Sequence, residues 1–296
     1  MLKTLFQSLA DFTAYAQCVD TSNTLDDLAP SAKIARKAIE AMITAQVLNA
    51  ILASEDEDLL EALRSAVANR TMALHVSFDS VNRRRSGGTD TYKYELEQMQ
   101  RNYTQGYYAA MDDLLRLLDA VIDADDVSSP AALWQNSRYG RLLSVCRIRR
   151  TEDFDAIYPI DLSYHFFYRT VPLQVEVLST RLEAYYTRTD GDGETDKPDI
   201  LPQLNLALAK LTIAKALRRF DIKEFPDTIR NLFGDSGESR NAKDERADSA
   251  RLADELEAEV NALMESVDMV INDYQNNDYC SPSAYNDPDD KIIIAP

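Results

Sequence analysis

The chain has 296 residues, enough for one large core or two of ordinary size. It carries 50 Asp and Glu against 32 Lys and Arg, a formal net charge of −18, and 45% of its residues are hydrophobic. An acidic excess of this size excludes a general nucleic-acid-binding surface, which needs net positive charge. It leaves room for local basic patches and for an acidic surface that faces DNA without gripping it.

The first predicted element is a short helix over roughly Thr4 to Cys18, with Leu5, Leu9, Phe12 and Ala16 at steps of three and four. After the polar loop Asp20 to Asp27, Ser31 is expected to cap a helix running to about Leu52, with apolar face Ile34, Ala38, Ala41, Ala45, Leu48 and Leu52. Glu55-Asp56-Glu57-Asp58 supplies the negative first turn of a third helix, where carboxylates meet unpaired N–H groups. That helix carries Leu59, Leu63, Ala66, Val67 and Leu74 towards Phe78, and the turn-rich stretch Asn82 to Gly88 ends it. A helix from about Tyr92 to Ile122 follows, with the stripe Tyr92, Leu96, Met99, Tyr103, Tyr107, Ala110, Leu114, Leu118 and Val121.

Asp123 to Ser129 closes the first half, and Pro130 opens a helix after Ser128 or Ser129. Beyond it lie the one tryptophan, Trp134, and five arginines, Arg138, Arg141, Arg147, Arg149 and Arg150, with no acidic residue between Pro130 and Thr151. In so acidic a chain this is a local charge reversal, and these arginines are candidate interface residues. Arg suits fixed bidentate contacts to carboxylates, on a neighbouring subunit or within this chain.

The second half opens on Thr151 as expected N-cap, followed by Glu152 and Asp153, in a short helix that stops before Pro159. A longer helix is expected from about Ser163 to Arg188, kinked or restarted at Pro172. Past the acidic loop Thr189 to Pro198, a helix spans Ile200 to Phe220, and a short one lies within Phe225 to Phe233. After the polar stretch Gly234 to Glu245, a long helix near Asp248 to Tyr274 has the stripe Leu252, Leu256, Val260, Leu263, Val267, Val270 and Tyr274. The polar stretch Asn276 to Asp290 leads to Ile292, Ile293 and Ile294, whose branched side chains favour an extended segment. These isoleucines either add to a partner or fold back onto their own bundle, and they are the second set of candidate interface residues.

The two halves echo each other. Phe12 matches Phe154, Pro30 matches Pro172, Glu40 matches Glu183, Asp58 matches Asp199, Thr71 matches Thr212 and Phe78 matches Phe220, with the offset between 141 and 143 residues. A period this long is not a solenoid. The expected fold is all-α: two related helical-bundle domains in tandem, 1–127 and 151–279, joined by a basic helical connector at 128–150 and followed by an extended tail at 280–296.

Chemical motifs are sparse. Cys18, Cys146 and Cys280 are odd in number, widely spaced and without CxxC, so reduced thiols in an intracellular setting are expected. Met1 to Phe6 lacks the apolar run of a signal peptide, and no stretch approaches 18 apolar residues, so no membrane association is expected. The two histidines, His75 and His165, belong to no HExxH and to no Cys–His cluster; packed histidines are expected. Asp190 to Asp196 has glycine in the wrong place for a calcium loop. Asp112-Asp113 and Asp123, Asp125 and Asp126 are assigned to solvated helix ends, with a metal-dependent hydrolase built on such carboxylates as the enzymatic alternative. No phosphate-binding glycine loop and no nucleophile elbow is present, so no cofactor is expected. Of the 15 tyrosines, Tyr103, Tyr107 and Tyr108 share one helix and Tyr185-Tyr186 close another, which suits either an interface or a core edge.

Leu133-Trp134, the passage from Thr151-Glu152-Asp153-Phe154 through Ile157-Tyr158-Pro159-Ile160 to Ser163, and Pro172 beyond it carry a resemblance. In these residues the chain resembles a family of proteins from Bacteroidales phages and prophages, related in role to head–tail connector proteins. The similarity covers most of residues 1–275 and rests on packing motifs. The acidic loop Thr189 to Pro198 stands where the family often has a glycine turn, and the Ile292 to Ile294 tail has no counterpart there. The resemblance implies a structural virion protein of the phage neck, made in the bacterial host cytoplasm. Its copies would form a ring, commonly twelvefold, touching the portal and other neck or tail proteins, with DNA passing nearby without specific binding. A host-encoded soluble helical adaptor is the remaining alternative.

Overall fold

A computed structural model of the chain describes residues 2–20, 23–85, 92–120, 127–189, 199–232 and 242–278. Every regular element among them is helical and none is a strand, as the periodicities require. The expected tail with Ile292, Ile293 and Ile294, the acidic loop 190–198 and the carboxylates Asp123, Asp125 and Asp126 lie outside the described residues.

Thirteen α-helices are described: α1 (Leu2–Leu5), α2 (Leu9–Thr13), α3 (Leu25–Ala53), α4 (Glu57–Arg85), α5 (Lys93–Ala120), α6 (Pro130–Gln135), α7 (Arg138–Leu143), α8 (Thr151–Ile157), α9 (Tyr164–Val177), α10 (Glu183–Thr189), α11 (Leu201–Arg219), α12 (Asp227–Asn231) and α13 (Ala242–Asp278). A π-helical turn, Leu178–Leu182, joins α9 to α10, and a 3₁₀ turn, Ile222–Glu224, follows α11.

Several helix starts differ from expectation because a better cap lies nearby. The first helix is interrupted where extended Ser8 accepts the Asp11 N–H at 3.2 Å and starts α2. Thr24, not Ser31, opens α3: Asp27 N–H donates to Thr24 Oγ1 at 3.3 Å while the Asp27 carboxylate accepts the Thr24 N–H at 2.8 Å, a reciprocal capping box. Ser31 is buried inside the helix instead. Arg150, not Thr151, is the N-cap of α8.

The apolar face of α3 is shifted as well. Leu28, Ala32, Ala35, Ile39 and Met42 are buried, whereas Ile34 is 53% exposed. The helix starts earlier than Ser31, and it breaks at Thr44, where φ 75° and ψ 155° reset the register. Thr44 Oγ1 then accepts the Val47 N–H at 3.4 Å. The break is a sharp one, because Arg36 donates to Asn49 Oδ1 at 3.4 Å. In an unbroken helix those residues would stand about 20 Å apart. Left-handed backbone at a β-branched residue costs on the order of 1–3 kcal/mol, so the packing of both segments must hold it.

The chain forms two compact units, one of Met1–Val145 with Leu162–Arg169, the other of Cys146–Asp161 with Thr170–Pro296. Unit 1 thus takes in α6 and α7 and the opening of α9. In it, α4 and α5 pack antiparallel, with Asn69 beside Gly106 and Gln100 donating to the Ala73 carbonyl at 3.4 Å. The α5 stripe is buried from Tyr103 to Leu118, while Tyr92, at its expected start, is 78% exposed. The core joins Leu63 and Val67 of α4 to Leu114 and Leu118 of α5 and to Leu28 and Ile43 of α3, each fully buried. Each such side chain contributes about 1.5–3 kcal/mol of transfer free energy.

In unit 2, α11 is the central helix, buried nearly all round from Leu204 to Leu217. Its one fully buried hydroxyl, Thr212 Oγ1, is satisfied by the Leu208 carbonyl at 2.7 Å. Antiparallel α13 lies along it, tied by Lys210–Glu259 at 2.6 Å and Arg218–Asp254 at 2.6 Å. The buried stripe of α13 runs Ala253, Leu256, Val260, Val267 and Ile271; Val270, expected inside, is 41% exposed, because the 3.6-residue period carries the core side one place on. Glu176 of α9 meets both Lys215 (2.8 Å) and Arg219 (2.6 Å) of α11. The expected kink at Pro172 is absent: α9 continues through it, and the helix changes pitch at the π turn.

Gly140 fixes the approach of α7 to α6. A methyl group there would sit 1.9 Å from the Gln135 carbonyl oxygen, which is backbone and cannot swing aside. Gly140→Ala should lower the unfolding free energy of unit 1 by about 1–3 kcal/mol, measured by denaturant unfolding followed by circular dichroism. An unchanged midpoint would show that α6 and α7 can part at little cost.

Candidate functional site

The five candidate arginines are all solvent-exposed. Arg138 and Arg141 lie one turn apart on α7, in unit 1. The Arg138 guanidinium sits 6.0 Å from the Tyr139 ring centroid, and Arg141 donates to the Asn136 carbonyl at 3.0 Å. Arg147, Arg149 and Arg150 belong to unit 2. Arg147 stacks 4.8 Å over the buried Tyr186 ring, Arg149 donates to the Cys146 carbonyl at 3.0 Å, and Arg150 pairs with Glu152 at 3.5 Å. The connector is therefore a series of locally anchored guanidinium groups distributed over both units. Cys146 and Ile148 alternate inward between the arginines and hold this segment down, with the Cys146 thiol 3.9 Å from the Val171 carbonyl.

A second polar constellation lies on α5, where sequence alone shows only acids. Asp112 and Asp119, two turns apart on one side of the helix, are both turned inward. The Asp112 carboxylate accepts the His165 backbone N–H at 2.7 Å and the Ser163 hydroxyl at 3.0 Å, so an acid of α5 caps the start of α9. Ser163 Oγ in turn accepts the Phe166 N–H at 3.3 Å. Asp119 accepts the indole N–H of Trp134 at 2.8 Å and the hydroxyl of Tyr168 at 2.6 Å. Trp134 and Tyr168 meet edge to face at 4.8 Å. Asp112 is thus not the solvated acid expected, whereas Asp113 is exposed and pairs with Arg116. Their seven-residue spacing on the core side of an amphipathic stripe was the available signal.

Ser163, His165 and Asp112 are the residue types of a hydrolytic triad, but their arrangement does not form one. Asp112 meets the His165 backbone rather than the imidazole, and the Ser163 hydroxyl points to the carboxylate. The imidazole is packed 5.0 Å from the Tyr108 ring and 6.2 Å from Tyr107. Burial, and then the guanidinium groups of Arg169 and Arg70, push it down to about 3, so it stays neutral. His75 is also buried, as expected for a packed histidine. Among the described residues, no three His, Cys, Asp or Glu converge to hold a metal ion, and no helix is long and apolar enough to cross a membrane.

No protein-family model, no curated protein and no solved structure matches this chain.

Burial pushes the Asp112 carboxyl up to about 6, against the opposing pull of the His165 N–H and the Ser163 hydroxyl. A raised carboxyl adds stability below its ordinary range and loses it as pH rises through about 6. His165 runs the other way: its contribution is complete above its ordinary 6.5 and is lost as pH falls towards about 3. Between these limits the two oppose. Relative to the parent chain, Asp112→Asn should make stability fall more steeply on acidification, and His165→Phe should make it fall less. Unfolding free energies measured across that range check both signs, with the curves separating by about 1–3 kcal/mol. Parallel curves for all three chains would remove this constellation from the acid response.

Proposed function

We propose that this chain is a structural, non-enzymatic protein of a phage neck, assembling with its own copies into a ring between portal and tail. The observation that carries this reading is the run of five exposed arginines, without an intervening acid, on a chain of net charge −18. Exposed guanidinium groups on an acidic protein fit carboxylates of a protein neighbour. The acidic remainder suits a lumen through which DNA passes without being held.

The reading includes a duplicated architecture, and the burial pattern supports it. In α4, Leu63, Ala66, Val67, Ala68, Thr71, Met72, Ala73 and Val76 are buried; 141 positions on in α11, Leu204, Ala207, Leu208, Ala209, Thr212, Ile213, Ala214 and Leu217 are buried too. Each of these helices packs antiparallel against the next long one, α5 or α13. Tyr103, Tyr107, Leu114 and Leu118 of α5 correspond to Leu256, Val260, Val267 and Ile271 of α13 at an offset of 153 residues, all buried. The larger offset reflects the extra segment that holds α12. Two related but unequal halves give one chain the distinct faces that a ring of heterologous contacts requires.

Electron microscopy of the purified chain, alone and mixed with the portal of its own genome, tests this directly. The expected particles are closed rings with a central opening. A strict monomer in both samples and in mature particles would end the proposal.

A further inference from the structure

Two exposed surfaces, one in each unit, carry opposite charge. On α7, Arg138 and Arg141 lie one turn apart on one exposed face, and Val145, 60% exposed, follows in the turn after the helix. Among the described residues neither guanidinium meets a carboxylate; their contacts are the Tyr139 ring and the Asn136 carbonyl. On α13, Met269 is 67% exposed and points directly away from the buried Val260, Val267 and Ile271. Glu265 and Asp273 stand one turn before and one turn after it, both exposed and without an ion pair among the described residues. From Leu252 to Asp278 the sequence has no Lys or Arg, so nothing on that helix neutralises them.

One face reads cation, cation, apolar; the other reads acid, apolar, acid. Seating the Met269 face of α13 against α7 sets Glu265 and Asp273, one turn to either side of Met269, towards the Arg138 and Arg141 guanidinium groups. Charges without an ion pair among the described residues then face opposite charge, and exposed apolar surface leaves water.

We infer that the acidic face of α13 around Met269 binds the α7 face of a second copy of this chain. This inference rests on the ring reading above and names the contact that would build it. The two surfaces differ and lie in different units, so the contact is heterologous: each copy offers one face forward and one back, and repetition gives a ring or an open chain of subunits. A pair of helix faces is a small interface, so association of the free protein falls in the weak, micromolar-to-millimolar range and weakens with salt.

The test is sedimentation equilibrium and amine-to-carboxylate cross-linking of the full chain up to about 1 mM, at low and high salt. Arg138→Glu with Arg141→Glu, or Glu265→Arg with Asp273→Arg, should each weaken self-association at least tenfold with the helical spectrum and thermal midpoint kept. An equimolar mixture of the two variants should recover assembly with the two alternating, since each face of one complements the opposite face of the other. Combining all four reversals in one chain should restore assembly. If the α7 reversal disrupts assembly but the combined chain does not recover it, α7 meets some other surface; the inference then falls and the ring stands. Assembly indifferent to both reversals has the same meaning. A parent chain that stays monomeric at every concentration and salt overturns the contact, and a monomer with the portal present as well sinks the ring too.

Discussion

The carboxylate of Asp119 organises the middle of unit 1. It sits on the core side of α5 and accepts two hydrogen bonds, from the Trp134 indole on α6 and from the Tyr168 hydroxyl on α9. Segments far apart in sequence thereby converge on one charged atom pair. Trp134 and Tyr168 are almost wholly buried, so each needs a partner for its polar end, and one acid serves both. Removing the acid would strand two buried donors at once, which costs more than either bond contributes alone. Asp112, two turns earlier on the same helix, does the equivalent for the start of α9. Together they fix where α9 begins, and so which part of the chain unit 1 takes in.

These anchors explain what was legible in the sequence and what was not. The all-α class, the long helices α4, α5, α11 and α13, and the packed state of both histidines follow from periodicity and from the lack of partners for metal or catalytic chemistry. The α5 stripe was correct from Tyr103 to Leu118 because one uninterrupted period governs it. The α3 face was misplaced ahead of Thr44, where Leu28, Ala32, Ala35, Ile39 and Met42 line the core once the helix starts at Leu25 and not after Ser31, and nothing in a lone threonine signals the positive φ of the break. Ser31 and Thr151 looked like caps by residue type, but a cap also needs the right backbone and a free N–H two or three residues on; Thr24 with Asp27 had both. Asp112 and Asp119 were missed for a different reason. A carboxylate on a stripe edge is solvated unless a donor from elsewhere reaches it, and the donors here come from about 15 to 50 residues away.

Charge is partitioned in a consistent way. Inside unit 2, acids are answered: Glu176 by Lys215 and Arg219, Glu259 by Lys210, Asp254 by Arg218. Such exposed pairs contribute little individually to stability, but they align α9 and α13 on α11. Arg138 and Arg141 of α7 and Glu265 and Asp273 of α13 have no ion pair among the described residues.

The burial of Trp134 has a spectroscopic consequence. It is the single tryptophan of the chain, 1% exposed, and it lies in unit 1 against Asp119 and Tyr168. Its emission therefore reports the melting of unit 1 alone, while far-ultraviolet dichroism sums helices from both units. Where the two units differ in stability, the optical transitions part company, and the gap between the fluorescence and dichroism midpoints becomes a direct measure of how far one half of the molecule can unfold without the other.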